Sequence, residues 1–304
     1  MIKTIKLTLS LTTPIFMGDS NSRQLASEIR VPSIRGQLRY WLRAALGGKF
    51  GSDIAALLKR EDQLMGSTGA GSMIRLRVYE NPRRPLATAP RAMLPHRQAR
   101  SRNALSNEAF VEGGTIQLNV NLRPGLSELP EELAAALLLW LNFGGLGKRS
   151  RRGFGSLKIN KFEDESNIVS VEAQKLFSTI PQTTAELKTH LTAILNFANL
   201  GTGQINLPQH PILHPTHTSV VVCEGTAANV NTPRYHEAMV PFWTNALRAN
   251  HIRDEYAFGY TDRGDRLASP VHLHIAKTNE GHHLVLTSFW QKSSCKGKKV
   301  SQLL

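Results

Sequence analysis

Two cysteines, Cys223 and Cys295, are too few in a chain of 304 residues for a disulfide framework or a cysteine-based zinc site. Acids are scarce as well: 23 Asp and Glu against 37 Lys and Arg leave a formal charge of +14. An imbalance of that size points to a polyanionic partner, nucleic acid first and an anionic membrane surface second. No apolar run is long enough to span a bilayer, and Met1-Ile2-Lys3-Thr4-Ile5-Lys6 lacks the apolar stretch of a signal peptide. The expectation is therefore a cytoplasmic protein with no membrane partner. Aromatic residues make up only 7% of the chain, which limits the rings on which bases could stack.

Against this background, the segment from Gly144 to Gly155 stands out. It holds Gly144, Gly145, Gly147, Gly153 and Gly155 together with Lys148, Arg149, Arg151 and Arg152, and no acid. Glycines let a backbone turn and approach a ligand closely, and the cations would then meet an anion such as a phosphate chain. A Walker A loop is excluded, because Asn142 stands where its first glycine belongs and Arg149 follows Lys148. The dinucleotide fingerprint fails at Ser150. Both of those loops also lead from a strand into a helix. Here Pro130, Glu131 and Glu132 open a helix carrying Leu133, Leu137, Trp140 and Leu141, and Ser156 to Phe162 reads as a strand after the loop. A long polyanion crossing the loop fits this order better than a mononucleotide in a closed pocket.

Upstream, Ile5, Leu7, Leu9 and Leu11 alternate with polar residues, as in a half-buried strand. A helix is expected from Pro32-Ser33 to Leu46, ended by Gly47-Gly48. Arg35, Arg39 and Arg43 are four apart on one of its faces, and no acid occurs between Arg30 and Lys49. That register suggests three guanidiniums turned toward a polyanion, the alternative being an ordinary solvated face. A second helix is expected over Asp53 to Leu64, and strands at Ile74-Leu76-Val78 and Ile116-Leu118-Val120-Leu122. Residues 81–107, with Pro82, Pro85, Pro90 and Pro95 and only positive charges among the ionised groups, read as a basic insertion without regular structure.

The order through residue 163 is β-α-β-β-α-β, the split βαβ or ferredoxin-like plan shared with the RRM. The stacking aromatics of an RRM are missing, since the central strands offer Tyr79 and little else. Backbone binding by loop and helix is therefore favoured over stacking on the sheet. In the second half, Thr183-Thr184-Ala185-Glu186 is a capping box ahead of Leu187, Leu191, Ile194, Leu195 and Ala198. Val220 to Cys223 reads as a strand and Pro233 to Ala249 as a helix. Val271-Leu273-Ile275 and His283 to Phe289 read as strands around a turn at Asn279-Glu280-Gly281, with His272 and His274 on an exposed face. The fold class expected is α+β, two ferredoxin-like units at 1–165 and 166–304, the second diverged.

His210, His214 and His217 are spaced H-x3-H-x2-H, but Pro208, Pro211 and Pro215 break the helix that would make them converge. No metal site and no cofactor are expected. The basic tail with Lys292, Lys296, Lys298 and Lys299 reads as a mobile end.

Taken together, these residues resemble the RAMP superfamily of CRISPR-associated proteins, whose hallmark is a glycine-rich loop between the last helix and last strand of a ferredoxin-like unit. Thr13-Pro14-Ile15-Phe16-Met17-Gly18 resembles the exit from that family's first strand. Ile29-Arg30-Val31-Pro32-Ser33-Ile34-Arg35-Gly36-Gln37-Leu38-Arg39-Tyr40-Trp41 and Leu64-Met65-Gly66-Ser67 are similar to segments of the first Cmr subunits of type III-B effector complexes. Arg266-Leu267-Ala268-Ser269-Pro270 resembles a family entry into a late strand. The resemblance implies a non-catalytic subunit that binds CRISPR RNA near its 3′ end, helps engage target RNA, and assembles with other Cmr effector subunits. It also implies that residues 144–155 cradle the RNA backbone, with Lys148, Arg149, Arg151 and Arg152 on phosphates and Arg35, Arg39 and Arg43 extending the surface. Two alternatives stay open. One is a RAMP endoribonuclease, for which Asp19 after the first strand and His96, the first histidine, are the candidates. The other is a basic RNA-binding module outside CRISPR biology.

Overall fold

The computed structural model describes residues 2–19, 24–92, 106–201, 210–223, 260–262, 265–267 and 269–289. Strand β1 (Thr4–Leu11) leads into helices α1 (Val31–Phe50) and α2 (Ile54–Met65), then β2 (Ile74–Glu80). A hairpin follows, β3 (Thr88–Ala92) with β4 (Ser106–Phe110), and then β5 (Thr115–Leu122), α3 (Glu131–Phe143), a 3-10 turn (Ser150–Arg152) and β6 (Leu157–Glu163). The first sheet has the order β2-β5-β1-β6 with every neighbouring pair antiparallel. β1 and β2 therefore run parallel on either side of β5, the arrangement a split βαβ connection produces. Ile5, Leu7, Leu9 and Leu11 point into the core because side chains alternate across a strand. Helices α1 and α3 pack on each other and share that core, through Ile34, Leu38, Trp41 and Leu42 from one and Leu133, Leu137 and Trp140 from the other.

Beyond β6 come α4 (Val171–Ser178) and α5 (Thr184–Ala198), both packed on α3. Half of the capping box forms as read: Thr183 Oγ1 accepts from the Glu186 N–H at 3.2 Å, whereas Glu186 Oε2 accepts from the Gln182 N–H at 2.7 Å and not from Thr183. β7 (Thr218–Cys223), a short hairpin β8 (Tyr260–Asp262) and β9 (Asp265–Leu267), β10 (Val271–Thr278) and β11 (Gly281–Phe289) complete the described elements. β10, β11 and β7 form an antiparallel sheet in that order, with Asn279-Glu280 as the turn between β10 and β11. The architecture is thus mixed helix and antiparallel sheet, and one apolar cluster runs from Ile5 through Leu187 and Ile194 to Phe289.

Three expectations are corrected. α1 does not end at Leu46 but continues to Phe50, since Gly47 and Gly48 lie inside it against the 212–213 segment, where the Leu213 N–H donates to the Ala44 carbonyl at 2.7 Å. The 81–107 insertion is not wholly irregular, because its two ends pair as β3 and β4. His272 and His274 are buried, not exposed: β10 lies against α3 and the 3-10 turn, so its polar alternation faces the interior. The helix expected at 233–249, His96 and the lysines after residue 289 lie outside the described residues.

Candidate nucleic-acid interface

The glycine-rich loop begins where Gly144 stops α3, its N–H donating to the Trp140 carbonyl at 3.0 Å. From there the loop is stitched to the exit of β1. The Lys148 N–H donates to Phe16 O at 2.8 Å, the Gly155 N–H to Pro14 O at 2.9 Å, and the Leu146 N–H to Gly155 O at 2.9 Å. Thr13 Oγ1 donates to Gly153 O at 2.7 Å and accepts from the Ser156 N–H at 2.9 Å. Gly147 and Gly155 have φ of +85° and +70°, left-handed values that other residues adopt at a cost. A Cβ at Gly147 would stand 2.7 Å from Phe16 O, and one at Gly155 would strike the Leu146 carbonyl. The close approach these glycines permit is thus to the chain's own backbone, and Gly144, Gly145, Gly153 and Gly155 are buried. Phe16 and Phe154 meet edge to face at 5.2 Å and, with Ala109 of β4, form a small core beneath the loop.

Lys148, Arg149, Arg151 and Arg152 follow one another through the 3-10 turn of this fixed backbone, each half-buried. Arg149 adopts the left-handed conformation and starts the 3-10 turn, where the Arg152 N–H donates to Arg149 O at 2.7 Å. Lys148 is half-buried, and no partner for its ammonium stands among the described residues. Arg151 is engaged inside the chain, where Nη1 donates to Ser269 O at 2.6 Å and the guanidinium lies 5.1 Å from the centre of the Tyr40 ring. Tyr40 in turn contacts His272 Nε2 at 2.8 Å. Burial holds the His272 imidazole neutral, with Arg151 and Arg152 adding to the effect, and pushes the Tyr40 hydroxyl well above its ordinary range. His274 Nδ1–H donates to Gly144 O at 2.7 Å, and burial lowers its pKa to about 4. α1, the loop and the entry to β10 therefore meet at one junction.

The arginine stripe of α1 also turns inward. Arg35 Nη2 donates to Met65 O at 2.6 Å, and Arg39 reaches Gly66 O. Both Arg39 and Arg43 bind Glu61, a carboxylate only 1% exposed, and that bond raises the Arg43 pKa. The stripe thereby caps the C-terminal end of α2. No acid near the stripe in sequence announced this, because Glu61 comes from the next helix. The Arg43 side chain keeps 49% of its surface exposed.

Tyr40, Ser269 and His272 were missed as a junction. Two of them lie in segments whose family likeness was legible, but their contact joins positions more than two hundred residues apart. The His214 and His217 rings lie 5.3 Å apart, and among the described residues no three His, Cys, Asp or Glu side chains are grouped for a metal. Asp19 is exposed just beyond the β1 exit, with its N–H donating to Gln24 O at 3.3 Å. No described helix is long and apolar enough to cross a membrane.

Comparisons with known proteins bear on the fold and the family. A Cmr subunit of Pyrococcus furiosus, Cmr1-1, is 33% identical over 148 residues, which span 45% of this chain and 42% of that relative. The match thus covers less than half of the relative's length. The crystal structure of Cmr1 from Pyrococcus furiosus superposes with a TM-score of 0.65 at 21% identity, covering 98% of this chain and 92% of the other. A chain from the cryo-EM structure of the type III-B Cmr-beta complex bound to cognate target RNA gives 0.65 at 12% identity, covering 100% and 98%. The RAMP superfamily pattern matches residues 8–158, the stretch that runs from β1 through the glycine-rich loop into β6. Residues 8–158 belong to the RAMP superfamily, and the chain is similar to Cmr1.

Proposed function

We propose that the chain is a non-catalytic, RNA-binding subunit of a type III-B (Cmr) RNA-guided complex in the cytoplasm. It would contact the CRISPR RNA backbone near the 3′ end, help engage target RNA, and assemble with other Cmr subunits. The observation that carries this reading is the 144–155 loop, a backbone fixed at both ends with Lys148, Arg149 and Arg152 along it. A cationic loop on a preorganised backbone suits a phosphate chain, since the backbone loses little freedom on binding and phosphate contacts need read no base edge. Likeness to a Cmr1 protein and to a chain from a target-RNA-bound Cmr complex supports the same partners. The reading extends to the fold: two ferredoxin-like units divided near residue 165, the first carrying the described split βαβ order and the second the β10-β11-β7 sheet.

The test is RNA binding across a salt titration, with the RNA checked for cleavage. If Lys148, Arg149 and Arg152 each neutralise one phosphate, changing all three to Ala should lower the salt slope by about 2, at roughly 0.7 per contact on single strands. Unchanged affinity would move the RNA site off the loop. Cleavage abolished by Asp19→Ala would replace the binding reading with the endoribonuclease one.

A further inference from the structure

Among the described residues, the helices cover one face of the β2-β5-β1-β6 sheet, and the opposite face carries an ordered polar array. The pairing register sets it out in rows. Arg75 lies beside Asn121 and Thr4, and Arg77 beside Asn119, Lys6 and Glu163. Tyr79 lies beside Gln117, Thr8 and Lys161, and Ser10 stands between Thr115 and Lys158. Five cations share this face with one acid of the sheet, Glu163, while Glu165 reaches Lys6 from beyond the strand at 3.0 Å. Lys161 pairs with Glu163, but among the described residues no carboxylate pairs with Arg75, Arg77 or Lys158. Lys158 instead has Lys277 of β10 near it, and burial together with that like charge lowers its pKa.

The middle of the face is equally unusual. β5, a central strand, spends three of its four outward positions on Gln117, Asn119 and Asn121. Asn is a poor strand former, and Thr or Val would hold an open face better. Local bonds use part of this capacity: Gln117 Nε2 donates to Asn119 Oδ1, and Thr4 Oγ1 to Asn121 Oδ1, both at 2.7 Å. Asn121 Nδ2 also donates to the Arg75 carbonyl at 3.3 Å, while the amides of Gln117 and Asn119 keep hydrogen-bonding capacity of the kind that pairs with the edges of unpaired bases. No aliphatic side chain lies in these rows, so the face lacks the apolar centre of a protein interface. Tyr79, 44% exposed, is its one ring and sits on the edge strand.

We infer that this open face is a second contact surface for single-stranded RNA, separate from the glycine-rich loop. Arg75, Arg77 and Lys158 take phosphates, and the amide row of β5 receives bases without strong sequence preference. The inference extends the RNA-binding reading above but rests on different residues, so the two fail separately.

The experiment measures binding of a labelled single-stranded RNA of mixed sequence by the full chain. Arg75→Ala/Arg77→Ala, Asn119→Thr/Asn121→Thr and the loop triple variant are compared, each with its thermal midpoint. Losing two phosphate contacts should lower the salt slope by about 1.4, so that a fourfold rise in salt costs the arginine variant about sevenfold less affinity than wild type. The amide variant should bind several-fold more weakly at unchanged slope and with an equal or higher midpoint. Wild-type affinity and slope in both sheet variants would overturn the inference, whatever the loop variant does. The same holds if those variants bind RNA normally but fail to join other Cmr subunits, which would assign the face to a protein partner. Loss in the sheet variants with none in the loop variant would sustain this inference and sink the loop reading.

Discussion

Arg151 and Lys148 are three residues apart in one basic run, yet the fold gives them different roles. Arg151 is tied to Ser269 O and stacked over Tyr40, while the Lys148 ammonium has no partner among the described residues. Lys148→Ala should lower the salt slope of RNA binding by about 0.7 and leave the thermal midpoint unchanged. Arg151→Ala should cost roughly 2 kcal/mol of stability, from a charged hydrogen bond and a cation–π contact, with little change in slope. Thermal unfolding beside a salt titration separates the two, and equal behaviour of both variants would refute the division. Residue type was legible at these positions and partners were not, because Ser269 lies more than a hundred residues from Arg151.

At the scale of elements, α1 shows where local rules stop. Pro32 near its start and the apolar series Ile34, Leu38, Trp41 and Leu42 were enough to locate it. Gly47-Gly48 was expected to end it, since paired glycines favour a helix stop. They remain helical because another segment needs the room: a Cβ at Gly48 would stand 2.6 Å from the Leu213 carbonyl. Gly36 has nothing within 4 Å of its would-be Cβ. Gly36→Ala should therefore stabilise the chain by about 1 kcal/mol through helix propensity alone. Gly48→Ala should destabilise it despite the same propensity gain. Chemical denaturation of the two variants checks this, and a gain at both would mean that the 212–213 segment yields freely. The strands were legible from alternation, whereas β3 and β4 were hidden by prolines and by the thirteen residues between them.

Across the whole molecule, β10 is tied to the glycine-rich loop and the start of β6 through polar groups set into a shared apolar core. His274 reaches Gly144 O, and the Ile275 N–H donates to Ser156 Oγ at 3.0 Å. Burial lowers the pKa of His190 and of His274 to about 4, against an ordinary value near 6.5. A depressed histidine pKa means that the unfolded chain takes up the proton first. The stability linked to these groups is thus fully present above pH 6.5 and is lost as pH falls toward 4. The loss should reach about 3 kcal/mol for His274, at 1.36 kcal/mol per unit. The thermal midpoint should drop over that window, and His274→Gln should flatten the drop. A flat midpoint from pH 7 to 4 in the wild type would show that the imidazoles are hydrated.

Charge, the positions of most helices and strands, the glycine-rich loop and the family likeness can all be read without a structure. All of these depend on neighbours within a few turns of chain or on residue counts. Packing settles what the individual arginines bind, which histidines are buried and which face of the first sheet the described helices leave uncovered. Those outcomes depend on pairs such as Arg43 with Glu61, Tyr40 with His272 and His274 with Gly144. No periodicity encodes such pairs, because each forms only when packing brings distant elements together and burial removes the water that would otherwise satisfy the polar groups.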